Sequence, residues 1–480
     1  MLAFIVGLIS IFSVELNAKS DEIYQDSARF VMADTTVTKI LTVNRILIIG
    51  NKVTRNRIIS RELSLTSGDT VSTARLREIL TKDKNKVYNL RLFNTVNIRS
   101  LELGEGNIDL LVEVSERWYT FPSPIFELSD RNFNEWWQNY GHDFKRINYG
   151  FRIDQRNFRG RNETLRFSAQ FGYTRSFQLL YRIPNLDETQ KHGLSFGFDY
   201  GEPKNLAYYT TDHKLDYLEM KQTVKKTLGG NITYSFRRSF YETHSFQLEY
   251  RDSNIADTVV SLNDNYYTGG SSNIKFGSIS YSFTSDHRDV VAYPLKGYHF
   301  DAYLSKNGLG FSNVNQMEVN VTYSKFIDLG HKTYLSNFTS VYASSPNTQP
   351  YALYSALGYR KQFIRGYEVY VIEGPKFFLN KTTFKKQIFA KDYRFEEMPV
   401  EQFRHFPVAI YLKGYADIGY VENYPRYSEI KINTALSDRL LAGAGGGIDL
   451  VLAYDTVIRF EYTFTRENTN GFFFHLKKEF

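Results

Sequence analysis

From Lys145 to Phe480 the chain alternates apolar and polar residues with a period of two in one segment after another. In 456–465, Ile458, Phe460, Tyr462 and Phe464 share one face while Arg459, Glu461 and Thr463 share the other. In 316–324, Met317, Val319, Val321 and Tyr323 oppose Glu318, Asn320, Thr322 and Ser324. In 164–173, Leu165, Phe167, Ala169, Phe171 and Tyr173 oppose Arg166, Ser168 and Gln170. Neighbours along a strand point to opposite faces, so the pattern sets one face of a sheet in an apolar medium and the other in water. A soluble sandwich would alternate in the same way, but its strands usually run about 5–6 residues. Here about sixteen segments occur, and several reach the roughly 9–11 residues a tilted strand needs to cross a bilayer. Hydrocarbon also demands a closed sheet, because unpaired amides there are costly. The expected fold class is a membrane β-barrel of about 16 antiparallel strands.

Composition agrees. Phe and Tyr number 38 and 36, yet the mean hydropathy is −0.39, that of a polar protein. A barrel reconciles the two, with aromatics on its outer face and girdles and a polar lumen within. Past residue 20 no apolar run reaches the roughly 18 residues of a spanning helix. There are no cysteines, which removes disulfides, thiolate metal sites and a lipoprotein anchor. The net charge of +7 is spread through strand-like segments rather than gathered in a basic run, so nucleic acid is not an expected partner. Residues 1–18 carry an apolar run, Leu2 to Val14, before Ala18, and read as a signal peptide, with an uncleaved anchor helix as the alternative. Export past the inner membrane follows from the first reading.

Ahead of the barrel, 19–40 reads as a polar leader, 41–117 as a compact mixed unit and 118–144 as a linker, leaving 145–480 for the barrel. In the mixed unit, Val43–Ile49 is β-rich and closes on Gly50-Asn51. Thr54 offers an N-cap for a helix carrying Ile58, Ile59 and Leu63, and Ser67-Gly68-Asp69 breaks it. A second helix from about Ser72 aligns Leu76, Leu80, Val87 and Leu90, and Thr95–Leu101 and Ile108–Val114 form a hairpin. The predicted order is β-α-α-β-β, a small α+β domain.

This unit resembles a POTRA domain, with LRLFNTVNI at 90–98 similar to that family's signature. The barrel resembles the superfamily of BamA, TamA and the FhaC-type two-partner secretion transporters, whose barrels are known as bacterial surface antigen domains. YSALGYRKQFIRGYE at 354–368 contains the (V/I/L)RG(F/Y) motif as Ile364, Arg365, Gly366 and Tyr367, in a loop from about Ala343 to Phe378. GYADIGYV at 414–421 resembles the family's (F/Y)xDxG strand. The resemblance implies that the loop folds into the lumen and that Asp417 receives Arg365, with Gly419 leaving room for the loop. A guanidinium–carboxylate pair can be bidentate, which suits a latch; two unrelated lumenal charges are the alternative. Residues 149–167 resemble the family's first hairpin, and 440–464 its antepenultimate and penultimate strands. Past Leu379 the strand after the loop shows no second acidic partner for Arg365. The chain ends on GFFFHLKKEF, an alternating strand with Gly471 at its start and Phe472, Phe474, Leu476 and Phe480 on one face.

Enzyme motifs are absent: there is no GxSxG, HExxH or GxxxxGK(S/T), and the nine His are dispersed. Neither a catalytic residue, nor a metal, nor any other cofactor is expected. The resemblance implies an outer-membrane protein of a Gram-negative cell, with the N-terminal domain in the periplasm, that inserts or translocates polypeptides. Its partners would be unfolded outer-membrane or secreted polypeptide clients, outer-membrane lipid and accessory assembly subunits. The seam between a first strand at Ile147–Arg156 and the last at Gly471–Phe480 would open for the client. Alternatives are a dedicated exporter of two-partner secretion type and a passive or structural barrel subunit.

Overall fold

Side-chain exposure in the sheet runs opposite to that of a soluble protein. In the computed structural model, which describes residues 39–128, 144, 147–310, 313–359 and 362–478, Phe196, Phe246, Leu248, Phe460, Phe464, Phe472 and Phe474 are all exposed. Ser280, Ser340, Lys413, Asp417, Asp449, Glu461 and Thr463, on the opposite face, are buried. Apolar outside and polar inside is what a sheet surrounded by lipid requires, and it excludes the sandwich. Among the described residues no helix is long and apolar enough to cross a membrane.

The N-terminal unit has strand β1 (Ile40–Ile49), helix α1 (Asn56–Ser60), β2 (Thr70–Ser72), helix α2 (Thr73–Asn89), β3 (Phe93–Gly104) and β4 (Asn107–Glu116). They form a four-stranded sheet ordered β2-β1-β4-β3, with β1 and β4 parallel. Ile58, Ile59 and Leu63 pack with Val87, Phe93, Val96 and Val112, so the helices cover one face of the sheet. The three-residue β2 adds to the expected order because Leu41 and Val71 pair across the break before α2. Thr54 does not cap α1; Arg55 takes that position without a side-chain cap. The Thr54 hydroxyl instead donates to Glu116 Oε1 at 2.6 Å and accepts from Asn157 Nδ2 at 2.8 Å.

The large sheet has sixteen antiparallel strands. They are β5 (Thr120–Leu128), β6 (Ile147–Phe158), β7 (Glu163–Gly172), β8 (Arg175–Ile183), β9 (His192–Glu202), β12 (Lys225–Arg237), β13 (Glu242–Ile255), β14 (Asn273–Asp286), β15 (Gly297–Asn307), β16 (Gln316–Gly330), β17 (Thr333–Ser345), β20 (Lys376–Arg394), β21 (His405–Glu422), β22 (Leu440–Leu452), β23 (Thr456–Thr465) and β24 (Asn470–Lys478). Between them lie the hairpin β10 (Asn205–Thr211) and β11 (Lys214–Glu219), helix α3 (Asp257–Leu262), the short pair β18 (Ala356–Leu357) and β19 (Ile372–Glu373), and helix α4 (Pro425–Ile430).

Two expectations are corrected here. The expected linker 118–144 contains β5, so β5 rather than Ile147–Arg156 is the first strand. The expected first hairpin, β6–β7, is accordingly the second. Pro122 and Pro124 remove two ladder donors from this stretch, which an edge strand tolerates. The segment 1–38 and Phe480 lie outside the described residues.

Both ends of the sheet return to the N-terminal unit. Arg156 N donates to Tyr119 O at 2.8 Å at the start, and Arg117 grips Asp455, in the β22–β23 turn, through Nη1 at 2.9 Å and Nη2 at 3.3 Å. Other turns at this end are held as well: Arg237 bonds both Glu62 oxygens at 2.6 and 2.7 Å, and Asn89 Nδ2 donates to Asp289 O at 3.0 Å. Lys52 reaches Glu401 at 3.0 Å and Asn94 donates to Gln402 O at 2.7 Å. Turns from β6 round to β23 thus share one docked unit, which covers this mouth of the barrel.

Candidate functional site

The loop between β17 and β20 enters the lumen and is seated by rows of facing residues on four strands. One row is Lys381, Asp417, Gly443 and Thr465; the next is Thr383, Tyr415, Gly445 and Thr463; the third is Lys385, Lys413, Gly447 and Glu461. Gly443, Gly445 and Gly447 of GAGGG on β22 therefore line the lumen at every second position, where side chains would otherwise stand. A Cβ on Gly443 would collide with the Arg365 carbonyl, and one on Gly419 with Ile364. These two positions give the loop tip its room.

Ile364 is fully buried in an apolar cluster with Leu357, Tyr367, Ile372, Leu379, Val421 and Leu441. Arg365, 6% exposed, meets Asp417 with three donors: its backbone N at 3.1 Å and Nε at 2.8 Å to Oδ2, and Nη2 at 2.5 Å to Oδ1. Nη2 also donates to Thr383 Oγ1 at 3.0 Å, and the guanidinium stacks over the Tyr415 ring at 3.8 Å. Gly366 takes φ +94°, which a residue with a side chain adopts poorly. That turn aims its N–H at Glu368 Oε2, 2.7 Å away. Tyr367 donates to Ala442 O at 3.2 Å and contacts Glu467. The sequence-expected residues Ile364, Arg365, Gly366, Tyr367, Asp417 and Gly419 are thus brought together.

A second acid does face Arg365. Glu461 Oε1 lies 3.5 Å from Nη1, not on the strand after the loop but on β23, 96 residues away. Its place on the polar face of 456–465 was visible; its partner was not. Lys413 bridges Glu461 at 2.8 Å and Asp449 at 2.5 Å, and Tyr293 OH donates to Asp449 Oδ2 at 2.8 Å. Lys381 donates to Phe363 O at 2.9 Å and lies 3.7 Å from Asp417. Three carboxylates and the cations Arg365, Lys381 and Lys413 form one buried network, which satisfies charges that would be prohibitive alone. Its chemistry is positional. No cluster of three or more His, Cys, Asp or Glu able to hold a metal occurs among the described residues.

In the last strand, Phe472 and Phe474 project outward at 65% and 56% exposure, and His475 points inward, stacked on Phe363 at 5.5 Å. The backbone of Gly471 and Leu476 pairs with Thr463 and Ile458 of β23.

At the far mouth, loop residues form a cover with its own core of Val224, Ile255, Val259, Tyr266, Tyr267 and Tyr351. Beside it Glu373, 2% exposed, accepts from Tyr359 OH at 2.8 Å and Tyr427 OH at 2.6 Å. Burial pushes its carboxyl up to about 7, against the opposing pull of the tyrosine hydrogen bonds. A raised carboxyl pKa gives stability that is present below the ordinary value and lost as pH rises through about 7. Corrected for intrinsic rates, amide exchange at 351–359 and 425–430 is therefore expected to quicken between pH 5 and pH 8, and Glu373→Gln to remove that dependence.

Residues 157–480 match the Omp85 superfamily domain, and residues 41–117 match POTRA, surface antigen variable number repeat. No curated protein sequence matches the chain. Among solved structures, the chain is similar to CdiB from Escherichia coli, at 10% identity and a TM-score of 0.53, over 91% of this chain and 76% of that one. It also aligns with BamA from Haemophilus ducreyi lacking POTRA domains 1–3, at 15% identity and a TM-score of 0.49, over 91% and 84%. A barrel of this kind with an N-terminal POTRA domain lies in the outer membrane with that domain in the periplasm. The matched domain covers more than half of the sequence, its loop and strand residues meet in the lumen, and the chain belongs to the Omp85 superfamily.

Proposed function

We propose that this protein inserts polypeptides into the outer membrane through the seam between β5 and β24, in the manner expected of BamA/TamA-type assembly factors. The observation that supports this most is the seam itself: among the described residues, the first and last strands of the sheet pair with β6 and β23 alone. Unpaired strand edges in a membrane are costly and invite another strand. Among the described residues the POTRA sheet leaves the outer edge of β3, twelve residues long, without a partner strand, and an unfolded client can add a strand there through backbone hydrogen bonds. In this reading Arg365 and Asp417 latch the loop inside the lumen, keeping the barrel closed to solutes while the wall opens. No catalytic step or cofactor enters. Clients are unfolded outer-membrane polypeptides, and accessory subunits would approach the POTRA face.

Export of one dedicated partner through the lumen is the second reading. A cavity of about 1380 Å³ between the POTRA helices and the near half of the lumen favours it. Depleting the protein and measuring the outer-membrane proteome separates the two. Loss of several barrel proteins is expected for an insertion factor and loss of one secreted protein for an exporter. Unchanged levels throughout would overturn both.

A further inference from the structure

The cavity beneath the POTRA helices is strongly cationic. Eleven lysines and arginines line its 1380 Å³, against three carboxylates. Several of these cations are already matched. Arg237 holds both Glu62 oxygens, Arg288 holds those of Asp286 at 2.8 and 2.5 Å, Lys86 meets Asp83 at 2.8 Å and Lys296 meets Asp328 at 2.9 Å. The surplus gathers where α1 ends against the β8–β9 turn, which Gln190 ties to Arg57 O at 3.1 Å. Arg61 donates to Asn185 Oδ1 and lies 3.9 Å from Glu62, whose two oxygens Arg237 has taken. Burial and the charge of Arg237 push the Arg61 guanidinium down to about 10, against the pull of Glu62 and Asp187. Asp187 is itself engaged by His192 N at 3.0 Å. Arg182, three residues before Asn185, is exposed to the cavity, and among the described residues no charged group acts on it. Lys191, at the end of the turn, is exposed as well.

Hydroxyls stand between the cations. Pairing across β7, β8, β9 and β12 sets Thr164, Arg182, Ser195 and Thr233 in one row, and all four line the cavity. The apolar residues of the same strands, among them Phe167, Leu179, Phe196 and Ile232, are exposed on the opposite, lipid face. The row is therefore a polar track of cations and hydroxyls. Pockets for small molecules hold about 300–1,000 Å³, so this one has room for a chain. A lipid phosphate would satisfy the cations, but its acyl chains would find no apolar wall along this row.

We infer that this chamber takes up an acidic segment of the polypeptide client, an extended stretch rich in Asp and Glu whose carboxylates meet Arg61, Arg182 and Lys191. Guanidinium forks suit carboxylates because both oxygens can be held at once. The inference rests on the polypeptide-handling reading, for insertion and export alike, and names the client chemistry the site selects.

The test titrates the full-length protein in detergent with a fluorescent ten-residue peptide in which Asp and Glu alternate with Ser, followed by anisotropy. A second peptide carries Asn and Gln in place of the acids. The acidic peptide is expected to bind at least about tenfold more tightly, with the advantage shrinking as salt is raised. Arg182→Gln is expected to weaken it about tenfold, the loss of one charge-assisted hydrogen-bonded contact, and Arg182→Lys by less. Lys221→Gln with Lys431→Gln removes two exposed charges from loops at the far mouth and is expected to change nothing. Equal affinity for the two peptides, no loss in Arg182→Gln, or an equal loss in the far-mouth variant would overturn the site. Displacement by a polyuronate or by inorganic phosphate as readily as by unlabelled peptide would overturn the polypeptide as its occupant. The proteome after depletion scores polypeptide handling separately. Clients can be lost there while the chamber ignores charge, and the acidic peptide can bind where no client depends on the protein.

Discussion

Replacing Asp417 with alanine is expected to cost about 3–5 kcal/mol, the range for breaking a buried ion pair from one side. Asp417 is 1% exposed, accepts three hydrogen bonds from Arg365 and lies 3.7 Å from Lys381. Its removal leaves two enclosed cations with Glu461 as the nearest remaining acid, 3.5 Å from Arg365. The strand ladders do not depend on this pair, so the barrel should still form while the loop tip leaves its seat. Expected readouts are a lower temperature for loss of the compact band in heat-modifiability gels, and ion conductance through an emptied lumen. Arg365→Ala is expected to be milder, because Asp417 keeps Lys381 at 3.7 Å. The double variant should fall short of the sum, since the two share one interaction. Wild-type behaviour of both single variants would remove the latch from the account.

The second large effect is expected where the POTRA unit meets the barrel. Arg117 and Asp455 are 6% and 7% exposed, and Arg117 Nε also donates to Phe93 O at 2.9 Å. Arg117→Ala leaves Asp455 buried without its bidentate partner, with Arg91 at 3.7 Å and Arg156 close enough to feel its charge. A loss of about 3 kcal/mol at this contact would free the last POTRA strand from the β22–β23 turn. Limited proteolysis is then expected to cut the 116–120 segment faster than in the native chain. Arg117→Lys is not expected to rescue, because a single ammonium cannot reproduce the fork that holds both carboxylate oxygens.

How much of this was legible in sequence follows from the range of each interaction. Alternation is local, so the strands of the barrel and its lipid face could be read from stretches such as 456–465 and 316–324. The IRGY tip and its acceptor, 52 residues apart, were joined only through family resemblance. Glu461 shows why: its inward face was evident, but meeting Arg365 depends on register accumulated over β20 to β23, which no local pattern carries. Strand β5 was missed because proline weakens strand propensity in general, and only an edge position with the nitrogen facing outward makes it harmless. Thr54 was misread for a related reason. Its N-cap signature was real, but Glu116, 62 residues on, competes for the same hydroxyl and wins.

The most direct measurement places the purified full-length protein in lipid vesicles, adds an unfolded outer-membrane barrel, and follows the protease-protected, inserted fraction over time. Insertion is expected to be faster than in vesicles without the protein, and to slow when the seam is sealed by an engineered disulfide between β5 and β24. Equal rates with and without the protein, or insertion indifferent to the sealed seam, would contradict polypeptide insertion through this barrel wall.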